Sequence, residues 1–379
     1  VGSEDARRDR ADRGGAFVSE PNAAIYIHRL IADPSGIQRY TVELANALHA
    51  LGHPTTLVTG ADEGTGSDVT ADLRVLSGPP RRRHFAWTAL RRPSFDRVVG
   101  GFDVVHMSSP AMTVPTKRPL VVTVHDLFPL EHPDWYDRVS RWGFLRGLDY
   151  AVDHASAFIT PSDYVRGLVV DTLGVDAHRV TVIPEGVSGS LAVPAVRPEG
   201  AGRPYVLAVG ALIARKNLDV LIDAMAQLPP GPATPQVRIV GDGPDRARLQ
   251  ARAAELADPD AVRLLGRVDD EELGRLFGGA IGLVHPALVE GFGLTTIEAM
   301  AAGLPVIASS SGALPEVVAD AGVLVPPDDV AGWAASLSRL ASDPDWREVL
   351  RRKGRERAAA YTWPKAAEAT VAVYDGLRS

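Results

Sequence analysis

Ile281-Gly282-Leu283-Val284, followed by Glu290-Gly291-Phe292-Gly293-Leu294-Thr295-Thr296-Ile297-Glu298 and then by Gly303-Leu304-Pro305-Val306, is the stretch that decides the fold. The apolar run 281–284 reads as a buried strand. A glycine-broken loop follows and opens a short apolar helix, expected over 295–302. Gly303 and Pro305 end that helix, as Gly just past a helix and Pro soon after it commonly do. The order is strand, loop, helix, strand, the repeating unit of an open parallel sheet. In such sheets ligands bind where strand ends meet helix N-termini. Free N–H groups and a partial positive charge at a helix N-terminus suit a phosphate. Glu290 and Glu298 flank that position, so a ligand carrying both phosphates and hydroxyls, such as a sugar nucleotide, fits the pair. The competing reading is local: Thr295-x-x-Glu298 also has the form of a capping box, in which the Glu serves only the helix end.

The 379 residues are enough for two domains, and 45% apolar content supports sizeable cores. A net charge of −7 and a pI near 5.8 argue against bulk nucleic-acid binding. The absence of cysteine rules out disulfides, thiolate metal sites and a cysteine nucleophile. Residues 1–20 are charged and Gly-rich without an apolar core, so they read as a disordered leader rather than a signal peptide. No apolar run is long enough to span a bilayer. A cytoplasmic location is expected, with the inner face of the membrane as an alternative.

From Ala23 onward, short apolar strands alternate with amphipathic helices. Strands are expected at 23–27, 55–58, 104–107, 120–124, 158–160 and 180–183, with a first long helix over 38–51. Residues 189–203 are rich in Pro, Gly and Ala and read as a linker. The alternation restarts with strands at 205–209, 236–240, 262–265, 281–284, 305–308 and 322–325, and a last helix over 364–377 has no strand partner. The expected fold class is therefore α/β, with two facing Rossmann-like doubly wound domains at 21–188 and 204–362, and a terminal helix at 363–379. A cleft between two such sheets is a usual place for a ligand.

Arg215 and Lys216 follow strand 205–209, and Asn217 is expected to open the next helix. Two cations at a helix start are unfavourable unless an anion sits there, so the pair points to a diphosphate, Arg as a planar fork and Lys as a point charge. Gly241-x-Gly243 ends strand 236–240, where a tight turn and a nucleotide contact look alike. Asp258-Pro259-Asp260 and Asp343-Pro344-Asp345 match a divalent-metal pattern in letters, but both stand at helix–loop joints and read as turns. The His residues lack ligand spacing; no metal is expected. Residues 81–97 mix Arg81, Arg82, Arg83, Arg91, Arg92 and Arg97 with Phe85, Trp87, Leu90 and Phe95. The stretch reads as a solvated helix with its apolar side in the core, as an acceptor pocket for an anionic substrate, or as a peripheral contact with an anionic membrane.

Taken in order, Val209-Gly210, Arg215-Lys216-Asn217-Leu218, Val240-Gly241-Asp242-Gly243-Pro244, Leu265-Gly266-Arg267, Glu290-Gly291-Phe292-Gly293 and Gly303-Leu304-Pro305-Val306 resemble the motifs of retaining glycosyltransferases of family 4, from about Ala23 to the end of the chain. The resemblance implies the GT-B fold, with the acceptor on the first domain and a nucleoside-diphosphate sugar on the second. It implies that Arg215 and Lys216 bind the donor phosphates, that Glu298 accepts from the ribose hydroxyls and that Glu290 lies at the transferred sugar. Backbone groups of Gly210, Gly241, Gly243, Phe292, Gly293, Leu294 and Thr295 would face the nucleotide, diphosphate and sugar, and those around Arg267 the base. His125 is expected to position the sugar from the first domain. Asp126 is either an acceptor contact or a turn cap. Members of the family usually carry two glycines where this chain has Ser35-Gly36; Gly36 still lets backbone approach the phosphates, and Arg39 is either a phosphate or acceptor contact or solvated. No cofactor beyond the sugar nucleotide is implied, and the basic side chains take the place of a metal. The reading is transfer of a hexose-type sugar to a hydroxyl acceptor with retention. A sugar-nucleotide epimerase, a sugar phosphorylase and a catalytically silent sugar-nucleotide binder are the alternatives.

Overall fold

A computed structural model describes residues 20–31, 36–63, 68–187 and 202–377. Most of the expected leader and linker, together with Ser35, falls outside them.

Seven parallel strands form the first sheet: β1 (Ala23–Ile27), β2 (Thr55–Thr59), β3 (Asp72–Val75), β4 (Val104–Met107), β5 (Leu120–Thr123), β6 (Ala157–Thr160) and β7 (Val180–Val182), in spatial order β3-β2-β1-β4-β5-β6-β7. Six more form the second: β8 (Tyr205–Val209), β9 (Gln236–Val240), β10 (Val262–Gly266), β11 (Gly282–His285), β12 (Val306–Ser309) and β13 (Val323–Val325), in order β10-β9-β8-β11-β12-β13. Both are doubly wound. The strand order reverses between β1 and β4 in one sheet and between β8 and β11 in the other, and crevices open at such reversals beyond the strands' C-terminal ends.

The inner strands are continuous apolar runs because both faces are covered. Ala23–Ile27 is buried at every position. One face of the first sheet packs Tyr26, Trp87, Phe95 and Phe158; the other packs Ile25, Leu44 and Leu48 of helix α1 (Gly36–Ala50) together with Trp363, Ala367 and Tyr374. Those last residues belong to the C-terminal helix, Trp363–Gly376, which returns from the second half of the chain to pack on α1. A buried polar chain ties it in: Tyr374 Oη stands 2.7 Å from His106 Nδ1, His106 Nε2 2.7 Å from Thr123 Oγ1, and Thr123 Oγ1 3.1 Å from Tyr40 Oη.

Several local expectations change. Asn217 does not open a helix. It takes a left-handed conformation at the end of a 3-10 turn, Ala214–Lys216, and its amide donates to the carbonyls of Pro286 and Pro327. The following helix, α2 (Asp219–Ala226), begins two residues later. The capping-box reading also fails. Helix α3 (Leu294–Ala301) is capped by Gly293 at φ 94°, Thr295 already lies inside the first turn, and Glu298 bonds to another domain. Asp343 caps the helix Pro344–Ala358, and Asp258 accepts from the Asp260 amide and from Arg203. In the basic stretch a short helix, Pro80–Phe85, runs into a π turn, Ala86–Leu90; Trp87 and Phe95 are buried against Tyr26, whereas Phe85 and Leu90 are exposed.

Candidate active site

The second crevice is built by the ends of β8 and β11. Gly210 and Gly241 end neighbouring strands, with Gly210 N–H donating to Val240 and Gly241 N–H to Gly266. His285 is the last residue of β11, and the chain then loops through Glu290 to Gly293 before α3 begins. The 3-10 turn after β8 aims Arg215 and Lys216 into this crevice rather than along a helix axis. Gly210, Lys216 and His285 line a small cavity there, with Leu218 and Val284 beneath.

Glu290 is the hub. Its Oε2 lies 2.8 Å from Arg215 Nη1, and its Oε1 lies 2.6 Å from Lys216 Nζ and 3.2 Å from His285 Nε2. Burial alone would raise this carboxyl, but Lys216, His285 and Arg215 together outweigh it and hold it well below the usual carboxylate range. Burial would lower the Arg215 guanidinium; Glu290 overrides it and raises it further. Burial and then the Lys216 charge push the His285 imidazole down. The ring is therefore neutral at about pH 7 and carries its proton on Nε2 to donate to Glu290. Two cations and one anion leave this cluster with a positive surplus, the arrangement an anionic ligand needs.

The first domain closes the other side. Arg215 stacks on Phe128 with Cζ 4.9 Å from the ring centroid. Asp126 lies close enough to feel both Arg215 and Glu290; burial raises its carboxyl, and its Oδ1 accepts the Phe128 amide 3.1 Å away, capping the turn. At Gly291 the two domains meet backbone to backbone: a Cβ there would stand 2.0 Å from the His125 carbonyl oxygen. Ser162 Oγ donates to the Gly291 carbonyl at 2.7 Å. His125 thus lies at the site, but both ring nitrogens are engaged within the first domain. Nε2 lies 3.1 Å from the Ser108 carbonyl and Nδ1 3.0 Å from Glu185 Oε1, both acceptors for a ring N–H, and Tyr40 packs edge-on at 4.6 Å.

Arg39, on α1, reaches across the cleft and donates to Glu298 Oε1 at 3.0 Å. Gly36 begins the same helix, with open space where a Cβ would stand. Leu294 and Thr295 occupy the first turn of α3, whose leading amides have no intrahelical acceptor, and Phe292 is buried before them. Gly243 packs against Leu212 at the end of β9. Arg267 follows the edge strand β10 and is exposed. The structure therefore gathers Arg215, Lys216, Glu290, Asp126 and the His125 backbone in one place and links Arg39 to Glu298 across the cleft. The sequence reading missed His285, Phe128, Ser162 and Glu185. Only His285 carried a signal, a polar residue ending an apolar strand. Among the described residues no group of three or more His, Cys, Asp or Glu is placed to hold a metal ion, and no helix is long and apolar enough to cross a membrane.

The family model for glycosyltransferase family 4 matches residues 34–190, and that for glycosyl transferases group 1 matches residues 193–357. A mannosyltransferase from Mycolicibacterium hassiacum, "MMP alpha-(1->4)-mannosyltransferase", is 32% identical over 324 residues, covering 79% of this chain and 76% of that protein. The chain is a family 4 glycosyltransferase. The O-antigen chain mannosyltransferase B of Escherichia coli is 29% identical over 265 residues, 67% of this chain and 69% of the relative. Among solved structures, an Anabaena protein in complex with UDP-glucose superimposes with a TM-score of 0.74 at 18% identity, covering 94% of this chain and 99% of that one. The two doubly wound sheets of this glycosyltransferase are thus the two Rossmann-like domains of the GT-B fold, and the Glu290 cluster stands at the strand-order reversal of the second.

Proposed function

We propose that this enzyme moves a hexose-type sugar from a nucleoside-diphosphate donor to a hydroxyl acceptor, with retention at the anomeric carbon and without a metal. The observation that carries the reading is Glu290 held between Arg215 and Lys216 at the end of β8. The donor diphosphate takes over the guanidinium and ammonium, charge-assisted bonds that strengthen as negative charge develops on the leaving phosphate. The N-terminus of α3 adds its dipole. Glu290, freed from the pair, turns its carboxylate to the sugar hydroxyls and to the positive charge of an oxocarbenium-like transition state. Glu298 exchanges Arg39 for the ribose hydroxyls.

The acceptor hydroxyl enters from the first domain, past Asp126 and His125, on the face the diphosphate leaves. The departing phosphate oxygen takes its proton, so the new glycosidic bond forms and the old one breaks on the same face without a separate protein base. Closure over Gly291 excludes water and suppresses donor hydrolysis. The relatives' names favour mannosyl transfer in glycan assembly. The test is incubation with UDP-, GDP-, ADP- and dTDP-hexoses and a hydroxyl acceptor panel, reading the product anomer by NMR. An α-donor giving an α-product supports the reading. Inversion, or phosphate-dependent release of sugar 1-phosphate, overturns it.

A further inference from the structure

The first sheet has its own strand-order reversal, between β1 and β4, and a second cluster of cationic and imidazole groups stands at the end of β1. His28 follows β1 directly, and its ring lies against His84 with centroids 4.3 Å apart. Arg29 comes next in the chain, and Arg83 precedes His84 on the short helix Pro80–Phe85. Five buried polar atoms here have no hydrogen-bond partner: Tyr26 Oη, His28 Nδ1, Arg29 Nε, Arg83 Nε and His84 Nδ1. The two guanidinium Nε atoms are donors and each imidazole Nδ1 donates or accepts according to its tautomer, and among the described residues none of them has a partner. Arg83 lies beside the Tyr26 phenol, near enough for its charge and a long hydrogen-bonding contact to act on it, although Tyr26 Oη has no partner within full hydrogen-bond geometry.

Part of each guanidinium is already committed. Arg83 donates to the Ser77 carbonyl at 2.6 Å and the Gly60 carbonyl at 3.0 Å, which fixes it over the sheet end, and Arg29 pairs with Glu63. Among the described residues Glu63 is the only carboxylate bonded to any of these groups. The His28 imidazole is lowered to about 4 by burial, then by His84, Arg29 and Arg83, the behaviour of a ring in a positive field that no anion answers. Buried donors without acceptors are costly and rare in native proteins. A cluster of them at a strand-order reversal is where an open α/β sheet takes a ligand. Tyr26 is buried beneath, whereas His28, Arg29, Arg83 and His84 are each partly exposed, so an incoming group can reach the cluster.

We infer that His28, His84, Arg83 and Arg29, with Tyr26 beneath, form a subsite for an oxyanion carried by the acceptor, a phosphate ester or a carboxylate. The assignment rests on the reading of the first domain as the acceptor side. His28 stands just past the C-terminal end of β1, the same sheet end at which His125 meets Gly291 of the donor domain, so an acceptor anchored here by its anionic group extends its hydroxyl toward the cleft. Two arginines and two imidazoles suit an oxyanion, which can take charge-assisted bonds from both guanidinium groups.

The experiment uses the full chain with isotope-labelled histidine, following ring resonances by NMR during titration with inorganic phosphate, with glucuronate and with glucose. His28 and His84 are expected to move with one or both anions and not with glucose. The tighter anion names the source, phosphate ester or carboxylate. The shifts should survive in Arg215→Ala, which removes the competing phosphate contact of the donor site, and weaken about tenfold in His84→Ala. No movement of His28 and His84 with either anion, or movement only while Arg215 is intact, overturns the assignment. Nucleoside diphosphates in the same samples report at His285. Silence there with shifts at His28 refutes the donor reading and leaves the oxyanion site standing; the opposite pattern refutes the oxyanion site alone.

Discussion

Glu290 is a buried carboxylate whose cost of desolvation is met by Arg215, Lys216 and His285. Removing one member of such a cluster strands the others, which is more damaging than never having built it. Glu290→Gln should therefore lower stability while freeing both cations for the donor phosphates. The expected result is nucleoside-diphosphate binding at least as tight as in the unaltered protein, with sugar transfer slower by about 10²–10³-fold, read by titration calorimetry and product formation. The acid profile follows with a definite sign. Because the folded carboxyl lies below its unfolded value of about 4.3, its contribution is complete above that value and is lost as pH falls through the depressed one. Acid unfolding followed by circular dichroism should thus show a shallower dependence in Glu290→Gln than in the parent. The pair Arg215-Lys216 stood out in the sequence as two adjacent cations after a strand, but its partner did not: Lys216 and Glu290 are 74 residues apart, and no local spacing joins them. The electrostatic argument used for the pair was itself misplaced, since the cations stand on a 3-10 turn and are answered by Glu290 rather than by a helix end.

At the scale of elements, the loop between β11 and α3 acts through its backbone. Gly291 brings the second domain onto the His125 carbonyl, and any side chain there must force the domains apart. Gly291→Ala should leave the donor domain folded but cut transfer by about 10²-fold, the cost of a misplacement on the order of 1 Å at a reacting centre; the rate with the preferred donor, together with the radius of gyration from small-angle scattering, checks this. A normal rate in that variant would mean that the contact is dispensable. Strands such as Ala23–Ile27 and Tyr205–Val209 were readable to the residue because they are apolar and almost wholly buried, and Gln236–Val240 because its apolar Val237, Ile239 and Val240 end at a glycine turn. The edge strand β3, Asp72–Val75, escaped because it is largely exposed and carries no apolar run. The helix Arg138–His154 also escaped: its buried face is only Phe144, Gly147, Leu148 and Ala151, scattered among charged residues. The apparent capping box at Thr295 failed for a similar reason. A glycine at positive φ can itself end the loop and start the helix, and Glu298 was then available for a distant partner.

Across the whole molecule, the two domains are tied by contacts of several kinds, the Arg215–Phe128 stack and the Gly291–His125 approach among them. The Arg39–Glu298 pair and the Ser162–Gly291 hydrogen bond cross the cleft, and the C-terminal helix crosses back to complete the first domain's core. Trp363 and Tyr374 are buried in that core, so Trp363→Ala should cost about 3–5 kcal/mol and lower the urea midpoint, although the residue lies far along the chain from the strands it covers. An unchanged midpoint would show that the helix only decorates the first domain. The fold was legible at this scale because strand–helix alternation breaks once and restarts. The cleft contacts were not, since Arg39 and Glu298 are separated by 259 residues.

The central claim is that a donor diphosphate displaces Glu290 from Arg215 and Lys216. Calorimetric titration of the unaltered protein and of Arg215→Ala with UDP, GDP, ADP and dTDP tests it most directly. One nucleotide should bind selectively, and its binding should weaken in the variant by about 2–3 kcal/mol, the loss of a charged hydrogen-bonding partner. Equal affinity in the two proteins, both folded, would contradict it and move the donor site away from the Glu290 cluster.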